Sequence, residues 1–157
     1  MEIEKKYLVD KLPFDPERFP KHEIEQAYIC KAPTLRIRKK DDAFIFTYKN
    51  RVKTDKQLNI SDEVECDLDQ KTYEHLLAKA DGKLIKKTRY LVPYDGYTIE
   101  LDIFHGDHEG LMLAEVEFED EEDVTYFIKP YWFGDDVSGQ YKYTNSYLAY
   151  SDDADTN

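Results

Sequence analysis

Charged and apolar residues alternate along most of this chain with a period of two, which is the pattern of β-strands whose two faces differ. Eight alternating segments can be distinguished, and seven of them place charged residues on one face. The charged positions are Glu2, Glu4 and Lys6; Arg36 and Arg38; Lys49; Glu63 and Glu65; Lys87 and Arg89; Glu100 and Asp102; and Glu115 and Glu117. The positions between them are mostly apolar, so one face of the predicted sheet is charged and the other is apolar.

The alternating segments have the length of strands and are separated by turn signals. The predicted strands are Glu2–Val9, Glu23–Cys30, Thr34–Lys40, Ala43–Asn50, Ile60–Leu68, Lys83–Pro93, Thr98–Phe104 and Leu111–Glu119. Eight antiparallel strands are enough to close a barrel whose interior holds one small ligand. We therefore expect a β-dominated α+β fold, namely an eight-stranded antiparallel closed β-barrel with a few peripheral helices.

One helix is well signalled between the fifth and sixth strands. Asp69 can cap its first turn, and Gly82 can end it. Between them, an i, i+3, i+4, i+7 stripe is formed by Tyr73, Leu76, Leu77 and Ala80. Two shorter helices are expected near Glu122–Phe127 and after Tyr143–Asn145, and Asn50–Asn59 is expected to be a longer polar connection.

The charged face admits two interpretations. A sheet with one solvent-facing side explains the charges on any single strand, because charges cost little there. Across seven strands this explanation weakens, because the signs are segregated by strand and like charges on one face repel. Divalent cations between the carboxylates, and phosphates against Arg and Lys, would neutralise both signs at once. The pattern therefore favours a charged interior filled by a ligand, with a plain solvated β-domain as the alternative.

The residue types define the chemistry of such a ligand. Mg²⁺ and Mn²⁺ prefer hard oxygen ligands, and carboxylates two apart on a strand can share one ion. Arg offers a bidentate fork to phosphate oxygens, and Lys adds a compact charge. Because phosphoryl transfer needs mainly positioning and charge stabilisation, such a site can be catalytic without a nucleophilic side chain.

Composition restricts the partners and the compartment. At 157 residues the chain fits a single domain, residues 1–150, followed by an acidic tail, residues 151–157. The net charge of −12 argues against nucleic acid and against an anionic membrane as partners. The start of the chain is acidic, and no apolar run approaches the roughly 18 residues of a membrane span. Cys30 and Cys66 have no metal or redox spacing, so we expect a cytoplasmic protein with reduced thiols, and we expect Cys66 to be part of the core.

The charged groups also follow one another in a characteristic order. E-x-E-x-K at Glu2–Lys6 is followed by R-x-R at 36–38, a lone strand lysine at 49 and E-x-E at 63–65. K-x-R at 87–89, E-x-D at 100–102 and E-x-E at 115–117 complete the series. This order resembles the CYTH superfamily, the triphosphate tunnel metalloenzymes. The stretch from Pro130 to Ala149 also resembles the C-terminal end of that family, so the resemblance covers nearly the whole chain.

The resemblance implies a tunnel that holds a triphosphate together with Mg²⁺ or Mn²⁺. The basic residues implied to grip the triphosphate are Lys6, Arg36, Arg38, Lys49, Lys87 and Arg89. The implied metal ligands are Glu2, Glu4, Glu115 and Glu117, with Glu100 and Asp102 as further ligands. Catalytic roles are expected for Lys6, Glu63, Glu65, Lys87 and Arg89. A metal-bound water, deprotonated with help from a tunnel carboxylate, would attack the terminal phosphorus, and which carboxylate acts as base is left open.

Two further residues are candidates for contact with the substrate. In the family, a C-terminal helix closes one mouth of the tunnel and can offer a basic residue, a role that Lys142 could fill. Tyr28 lies on a strand whose inner phase faces the expected tunnel, which would place its ring near the substrate.

Three functions remain open. The resemblance favours a metal-dependent triphosphatase with tripolyphosphate as the preferred substrate, and with thiamine triphosphate or nucleoside triphosphates as further substrates. A class IV adenylyl cyclase uses the same tunnel on ATP, but no groups that would recognise adenine can be identified. A non-catalytic polyphosphate-binding module would not need the carboxylates, which repel an anion unless metal is present. The sequence leaves the oligomeric state open, with a homodimer as one alternative.

Overall fold

The barrel expected from the sequence is present. The computed structural model describes residues 2–52 and 59–151. The strands are β1 (Glu2–Leu8), β2 (Lys21–Cys30), β3 (Thr34–Lys40), β4 (Ala43–Val52), β5 (Asn59–Leu68), β6 (Asp81–Tyr94), β7 (Tyr97–His105) and β8 (Met112–Phe118). They pair antiparallel in the order β1-β5-β4-β3-β2-β6-β7-β8 and close into one barrel. The fold prediction is confirmed. Most of the expected polar connection (53–58) and of the acidic tail (152–157) lies outside the described residues.

Three short helices lie outside the strands. They are α1 (Gln70–Leu77), α2 (Glu121–Tyr126) and α3 (Asn145–Tyr150), and 3₁₀ turns lie at Pro16–Arg18, Gly106–His108 and Tyr141–Tyr143. The side chains of Asp69, Asp120 and Thr144 each accept a hydrogen bond from the backbone N–H three residues on, which fixes where each helix begins. No helix in the described part of the chain is long and apolar enough to cross a membrane.

The apolar phase of the strands faces outward, where connecting segments cover it. On β1, β7 and β8 the outward side chains include Ile3, Leu101 and Val116, all of them buried. Phe127 and Phe133, which follow α2, pack against this side of the barrel. The hydrophobic effect therefore acts mainly on the outer face of this barrel, which leaves the inner face free for charged residues.

Helix α1 covers a second part of the outer face. Its Tyr73 packs against Ile37 of β3, and the ring centroids of Tyr73 and Phe44 of β4 are 4.9 Å apart. The outer face of β5 differs, since Val64 is 64% exposed and Cys66 is exposed as well. The expectation that Cys66 belongs to the core is therefore wrong, because the cluster under α1 includes Leu68 at the end of β5 but leaves Cys66 exposed.

The inward phase of the strands is apolar at one end of the barrel. Ile85, Phe104 and Leu113 point inward like the charged residues, and each is two residues away from one of them, toward the same end of the barrel. All three are buried. Leu148 of α3 packs against them. The segment 141–150, which contains the last 3₁₀ turn and α3, is named the C-terminal plug here, and it closes this end of the barrel.

Gly82 has a role other than the expected one. Helix α1 ends at Leu77, with Ala78 as its C-cap, so Gly82 does not end the helix. It lies near the start of β6 with a φ of +69°. A Cβ at this position would overlap the carbonyl oxygen of Ala149 in the C-terminal plug. Glycine is therefore required both for the backbone conformation and for the close approach of the plug.

Replacing Gly82 by alanine should lower the free energy of unfolding by about 3 kcal/mol, because a positive φ is combined with a steric overlap against backbone. Gly96→Ala is the matched control. Its φ is +82°, but an added Cβ would meet no described atom within 4 Å. That variant should therefore lose only about 1 kcal/mol. Urea unfolding measures both losses, and equal losses would contradict the role of Gly82 in seating the plug.

Candidate functional site

The charged phase of the strands encloses a cavity of about 220 Å³, the tunnel cavity. Of the predicted site residues, those that line it are Glu2, Glu4, Lys6, Tyr28, Arg36, Arg38, Lys49, Glu63, Glu65, Arg89, Glu100, Glu115 and Glu117. Lys87 and Asp102 are buried at its floor without lining it, and Lys142 lies outside it. Strand alternation thus brings most of the predicted residues together in one place.

The strand order places opposite charges on opposite sides of the tunnel cavity. β7, β8 and β1 are neighbours, and their carboxylates form what we name the acidic wall: Glu2, Glu4, Glu100, Glu115 and Glu117. Strand β3 lies four strands from β8 in either direction around the barrel. Its Arg36 and Arg38, with Lys49 of β4, form what we name the basic wall. A ligand in the cavity therefore meets carboxylates on one side and guanidinium groups on the other.

The acidic wall carries more negative charge than the neighbouring cations neutralise. Burial and the adjacent carboxylate of Glu115 raise the pKa of Glu4 well above its usual value. Partial burial also raises the pKa of Glu117, and repulsion from nearby carboxylates adds to this effect. Burial opposes ionisation of Glu115 too, but Lys6 and Arg89 outweigh it and lower the pKa of that carboxyl. A cation bound at this wall would relieve the repulsion.

Lys49 connects the two walls. Its Nζ lies 2.6 Å from Oε1 of Glu2 and 3.7 Å from Oε2 of Glu63. Burial acts to lower the pKa of Lys49, but Glu4 and Glu2 outweigh burial and raise it. The ammonium group is therefore charged, and it is shared between carboxylates from two neighbouring strands.

The basic wall has the opposite imbalance. The Nε of Arg36 is buried and has no hydrogen-bond partner within the described part of the chain. Nε of Arg38 donates to Oε1 of Gln26 at 3.2 Å. Burial, together with the charges of Arg36 and Arg89, lowers the pKa of Arg38 to about 9. The Nε of Arg36 thus lacks an acceptor among the described residues, and Arg38 is partly buried beside two other guanidinium groups; phosphate oxygens would supply both an acceptor and negative charge.

Below the tunnel cavity, three charged side chains form a compact network. Asp102 is fully buried, and its Oδ1 accepts from Nε of Arg89 at 2.7 Å. Its Oδ2 accepts from Nη2 of Arg89 at 2.8 Å and from Nζ of Lys87 at 2.7 Å. Burial lowers the pKa of Lys87 to about 8, although the negative charge of Asp102 opposes this shift. Because Arg89 and Lys87 occupy both oxygens of Asp102, the expectation that this carboxylate ligates a metal does not fit its position.

Lys142 also lies elsewhere than expected. Its side chain is exposed, its Nζ lies 5.7 Å from the centroid of the Tyr143 ring, and it lines a cavity on the outer side of the plug together with Lys83 and His108. The plug meets the tunnel through its backbone instead, since Nζ of Lys6 donates to the carbonyl oxygen of Tyr143 at 3.0 Å. The expected element is at this end of the tunnel, but the expected side chain points away from it.

Several lining residues were not anticipated. The full set of these is Thr34, Lys40, Ile45, Thr144, Asn145 and Ser146. Thr34 and Lys40 lie in phase with Arg36 and Arg38, so the period-two pattern contains the signal for them. The residues at 144–146 belong to the plug, and no strand periodicity points to their position.

The carboxylates do not form a ready-made metal centre. Within residues 2–52 and 59–151, no group of three or more His, Cys, Asp or Glu side chains is arranged to hold a metal ion. The reason is visible in the contacts, because Lys49 pairs with Glu2 while Lys6 lies 3.7 Å from Glu115. The carboxylates of the acidic wall would have to exchange these ammonium groups for a cation.

A closed barrel with a plug at one end and a charged interior is a tunnel for a small charged ligand. The sequence matches the CYTH domain family over residues 1–129. The chain belongs to this family.

Relatives of known name support the assignment. The chain is 36% identical over 156 residues to an inorganic triphosphatase of Nitrosomonas europaea, which covers 96% of this chain and 97% of that protein. It is 35% identical over 125 residues to an inorganic triphosphatase of Acetivibrio thermocellus, covering 78% and 77% of the two chains. The crystal structure of an inorganic triphosphatase, 32% identical, superposes with a TM-score of 0.71 and covers 97% of this chain and 96% of that one.

The raised pKa of Glu4 gives a prediction for stability. Because folding raises this pKa, the ionised carboxylate is less favourable in the folded than in the unfolded state at neutral pH. Glu4→Gln should therefore raise the free energy of unfolding of the metal-free protein by about 1 kcal/mol. The gain should shrink as the pH falls and should vanish well below about 4, where the carboxyl is protonated in both states.

Urea unfolding in the presence of EDTA measures this gain. Glu109→Gln is the matched control, because it removes an exposed carboxylate outside the tunnel and should change the stability little. A loss of stability in Glu4→Gln at pH 7 would contradict the charge imbalance assigned to the acidic wall.

Proposed function

We propose that this chain hydrolyses triphosphates in a reaction that depends on a divalent cation, with inorganic tripolyphosphate as the favoured substrate. The observation that carries this proposal is the pair of walls of opposite charge across a cavity of about 220 Å³. A linear triphosphate together with divalent cations carries both of the charges that the walls lack. The two curated relatives are named inorganic triphosphatases, which supports the same substrate class here.

The basic wall would hold the phosphate chain. Arg36 has a buried Nε without an acceptor, and Arg38 is surrounded by more positive than negative charge. Both guanidinium groups can bind phosphate oxygens in a bidentate manner. Lys49 would turn from Glu2 toward the phosphates once a cation neutralises the acidic wall, so that binding of metal and of substrate support each other.

The acidic wall would hold the divalent cation through Glu2, Glu4, Glu115 and Glu117. Carboxylate oxygens are hard ligands that suit Mg²⁺ and Mn²⁺. Burial, together with repulsion from neighbouring carboxylates, raises the pKa of Glu4 and of Glu117, and a bound cation would offset both effects. A bound Mg²⁺ or Mn²⁺ supplies charge neutralisation at the phosphate oxygens and lowers the pKa of a water ligand.

Arg89 and Lys6 would stabilise the charge that develops on the transferred phosphoryl group. The Asp102 carboxylate fixes the orientation of Arg89, and we assign Asp102 and Lys87 to this positioning role in place of metal binding or direct contact with substrate. Glu63 and Glu65 line the tunnel cavity and are the candidates to accept the proton of the attacking water. Burial and repulsion from Glu2 raise the pKa of Glu63, which is the direction required of a base that works near neutral pH.

Product analysis tests the reaction. The purified protein is incubated with tripolyphosphate, and separately with ATP, with and without Mg²⁺ or Mn²⁺. We expect metal-dependent release of orthophosphate, fastest from tripolyphosphate. Pyrophosphate and cyclic AMP from ATP would instead identify a cyclase, and tight binding without turnover would identify a binding module.

Single substitutions test the two walls separately. Glu4→Ala and Glu117→Ala should lower kcat on the order of 100-fold or more, because they remove ligands of the cation. Arg38→Ala should mainly raise KM for tripolyphosphate, by about tenfold, whereas Lys6→Ala should weaken substrate binding and also lower kcat, because Lys6 meets the charge that develops on the transferred phosphoryl group. Glu109→Gln is again the control. A folded Glu4→Ala protein with full activity would show that the acidic wall does not hold the metal.

A further inference from the structure

Two arginines that line the tunnel cavity, Arg38 and Arg89, are held by different kinds of acceptor. Arg89 of β6 lies opposite Asp102 of β7 in the strand register, and that carboxylate accepts from its Nε at 2.7 Å and from its Nη2 at 2.8 Å. Arg38 of β3 lies opposite Gln26 of β2, and Nε of Arg38 donates to Oε1 of Gln26 at 3.2 Å. The acceptor is therefore charged for Arg89 and uncharged for Arg38.

The surroundings of Arg38 leave its positive charge without a counter-charge. Among the described side chains, no carboxylate lies close enough to Arg38 to form an ion pair. Burial and the charges of Arg36 and Arg89 lower the pKa of Arg38 to about 9, and the opposing effect of Glu65 is smaller. Because this pKa is still above neutral pH, the guanidinium remains charged there, and its charge is available to a ligand.

The position of Gln26 suits a support for Arg38 better than a contact with substrate. Its side chain is fully buried, and it does not belong to the residues that line the tunnel cavity. Since an arginine side chain can only donate hydrogen bonds, Oε1 must be the atom of the amide that faces Nε. This bond uses Nε alone, so the two terminal nitrogens of Arg38 are left for phosphate oxygens.

The amide of Gln26 also carries a cost in stability. Its Nε2 is buried and has no hydrogen-bond partner in the part of the chain that the structure describes. A buried donor without an acceptor is destabilising, and a leucine of similar size would avoid this cost. Ile85, the residue opposite Gln26 on β6, is fully buried, so apolar side chains fit at this depth of the barrel. The contribution of the glutamine is therefore the oxygen that Arg38 uses.

The other arginine of β3 has an uncharged neighbour as well. Thr47 of β4 lies opposite Arg36 and is fully buried, and its Oγ1 has no hydrogen-bond partner among the residues described. On its other side Thr47 lies opposite Glu65 of β5, so a neutral residue separates the arginine from that carboxylate. Neutral polar side chains thus flank β3 on both of its neighbouring strands.

We propose that Gln26 is a positioning residue that holds the guanidinium of Arg38 through an uncharged acceptor, so that its full positive charge acts on the bound triphosphate. This inference rests on the proposed function and specifies how the basic wall achieves its affinity. A carboxylate at position 26 would hold the guanidinium in the same place but would neutralise it, as Asp102 does for Arg89. The neutrality of position 26 is then a determinant of substrate binding.

Gln26→Glu tests the neutrality, because the two side chains have nearly the same shape. We expect KM for tripolyphosphate to rise about tenfold, with kcat changed less than about twofold. The urea midpoint of the metal-free protein should be equal to or above that of wild type, since the added carboxylate offsets the positive charge of the basic wall. Gln70→Glu makes the same change at an exposed position on α1 and should leave KM and kcat unchanged.

Gln26→Leu tests the hydrogen bond, because it removes the acceptor and keeps position 26 uncharged. The guanidinium of Arg38 is then free to turn, and KM for tripolyphosphate should rise about fivefold with little change in kcat. A wild-type KM in this variant would overturn the positioning role.

The remaining outcomes are distinct. A wild-type KM in Gln26→Glu would show that neutrality has no effect and would overturn the inference. A higher KM together with a lower urea midpoint would overturn it as well, because it would mark Gln26 as a residue of the fold alone. If wild type releases no orthophosphate from tripolyphosphate, the proposed hydrolysis fails. Calorimetry with tripolyphosphate then still decides: wild type must bind it about tenfold more tightly than Gln26→Glu, and equal binding or none by either protein would overturn the inference.

Discussion

Ionisable groups inside a closed barrel must be balanced by one another or by a ligand, because the strands keep most water away. The negative charge of Asp102 is neutralised within the protein, since Arg89 and Lys87 donate hydrogen bonds to both of its oxygens. The two walls above it show the reverse. Burial and neighbouring like charges raise the pKa of Glu4 and lower that of Arg38. The two residues lie on different sides of the barrel and do not neutralise each other. Strand order therefore shapes the site: β6 and β7 are neighbours, and Arg89 pairs with Asp102, whereas β3 lies across the barrel from β8, so that Arg36 and Arg38 remain available to a ligand.

A charged interior is tolerable because the apolar residues are buried elsewhere. The outer face of the barrel packs under the segments around α1 and after α2, and the C-terminal plug covers the apolar end of the tunnel. These contacts stabilise the barrel without filling it. The stability of the fold and the chemistry of the tunnel therefore depend on different faces of the same strands. Many tunnel residues can bind the ligand for this reason, although their buried charges lower the stability of the fold.

The sequence allowed the architecture and most of the tunnel lining to be predicted, because alternation fixes which face of a strand each side chain occupies. Alternation does not report depth along the strand, and for this reason Asp102 was expected at the cavity surface although it lies beneath it. It also does not report what covers the opposite face, which explains the exposure of Cys66. The plug residues at 144–146 come from a segment with no periodic signal, so their contribution became visible only in the tertiary structure.

Strand β1 pairs with β5 on one side and β8 on the other, so that Lys6 lies opposite Glu115. Contacts of such long sequence separation slow the folding of a domain, because the loop between them must be closed first. During synthesis, the early strands with their arginines and glutamates exist before the strand that closes the barrel, and their charges stay in water during that interval. Because β8 and the plug follow the other strands in the chain, neither wall can be fully enclosed before both have been synthesised, and until then the tunnel charges need no balance within the protein.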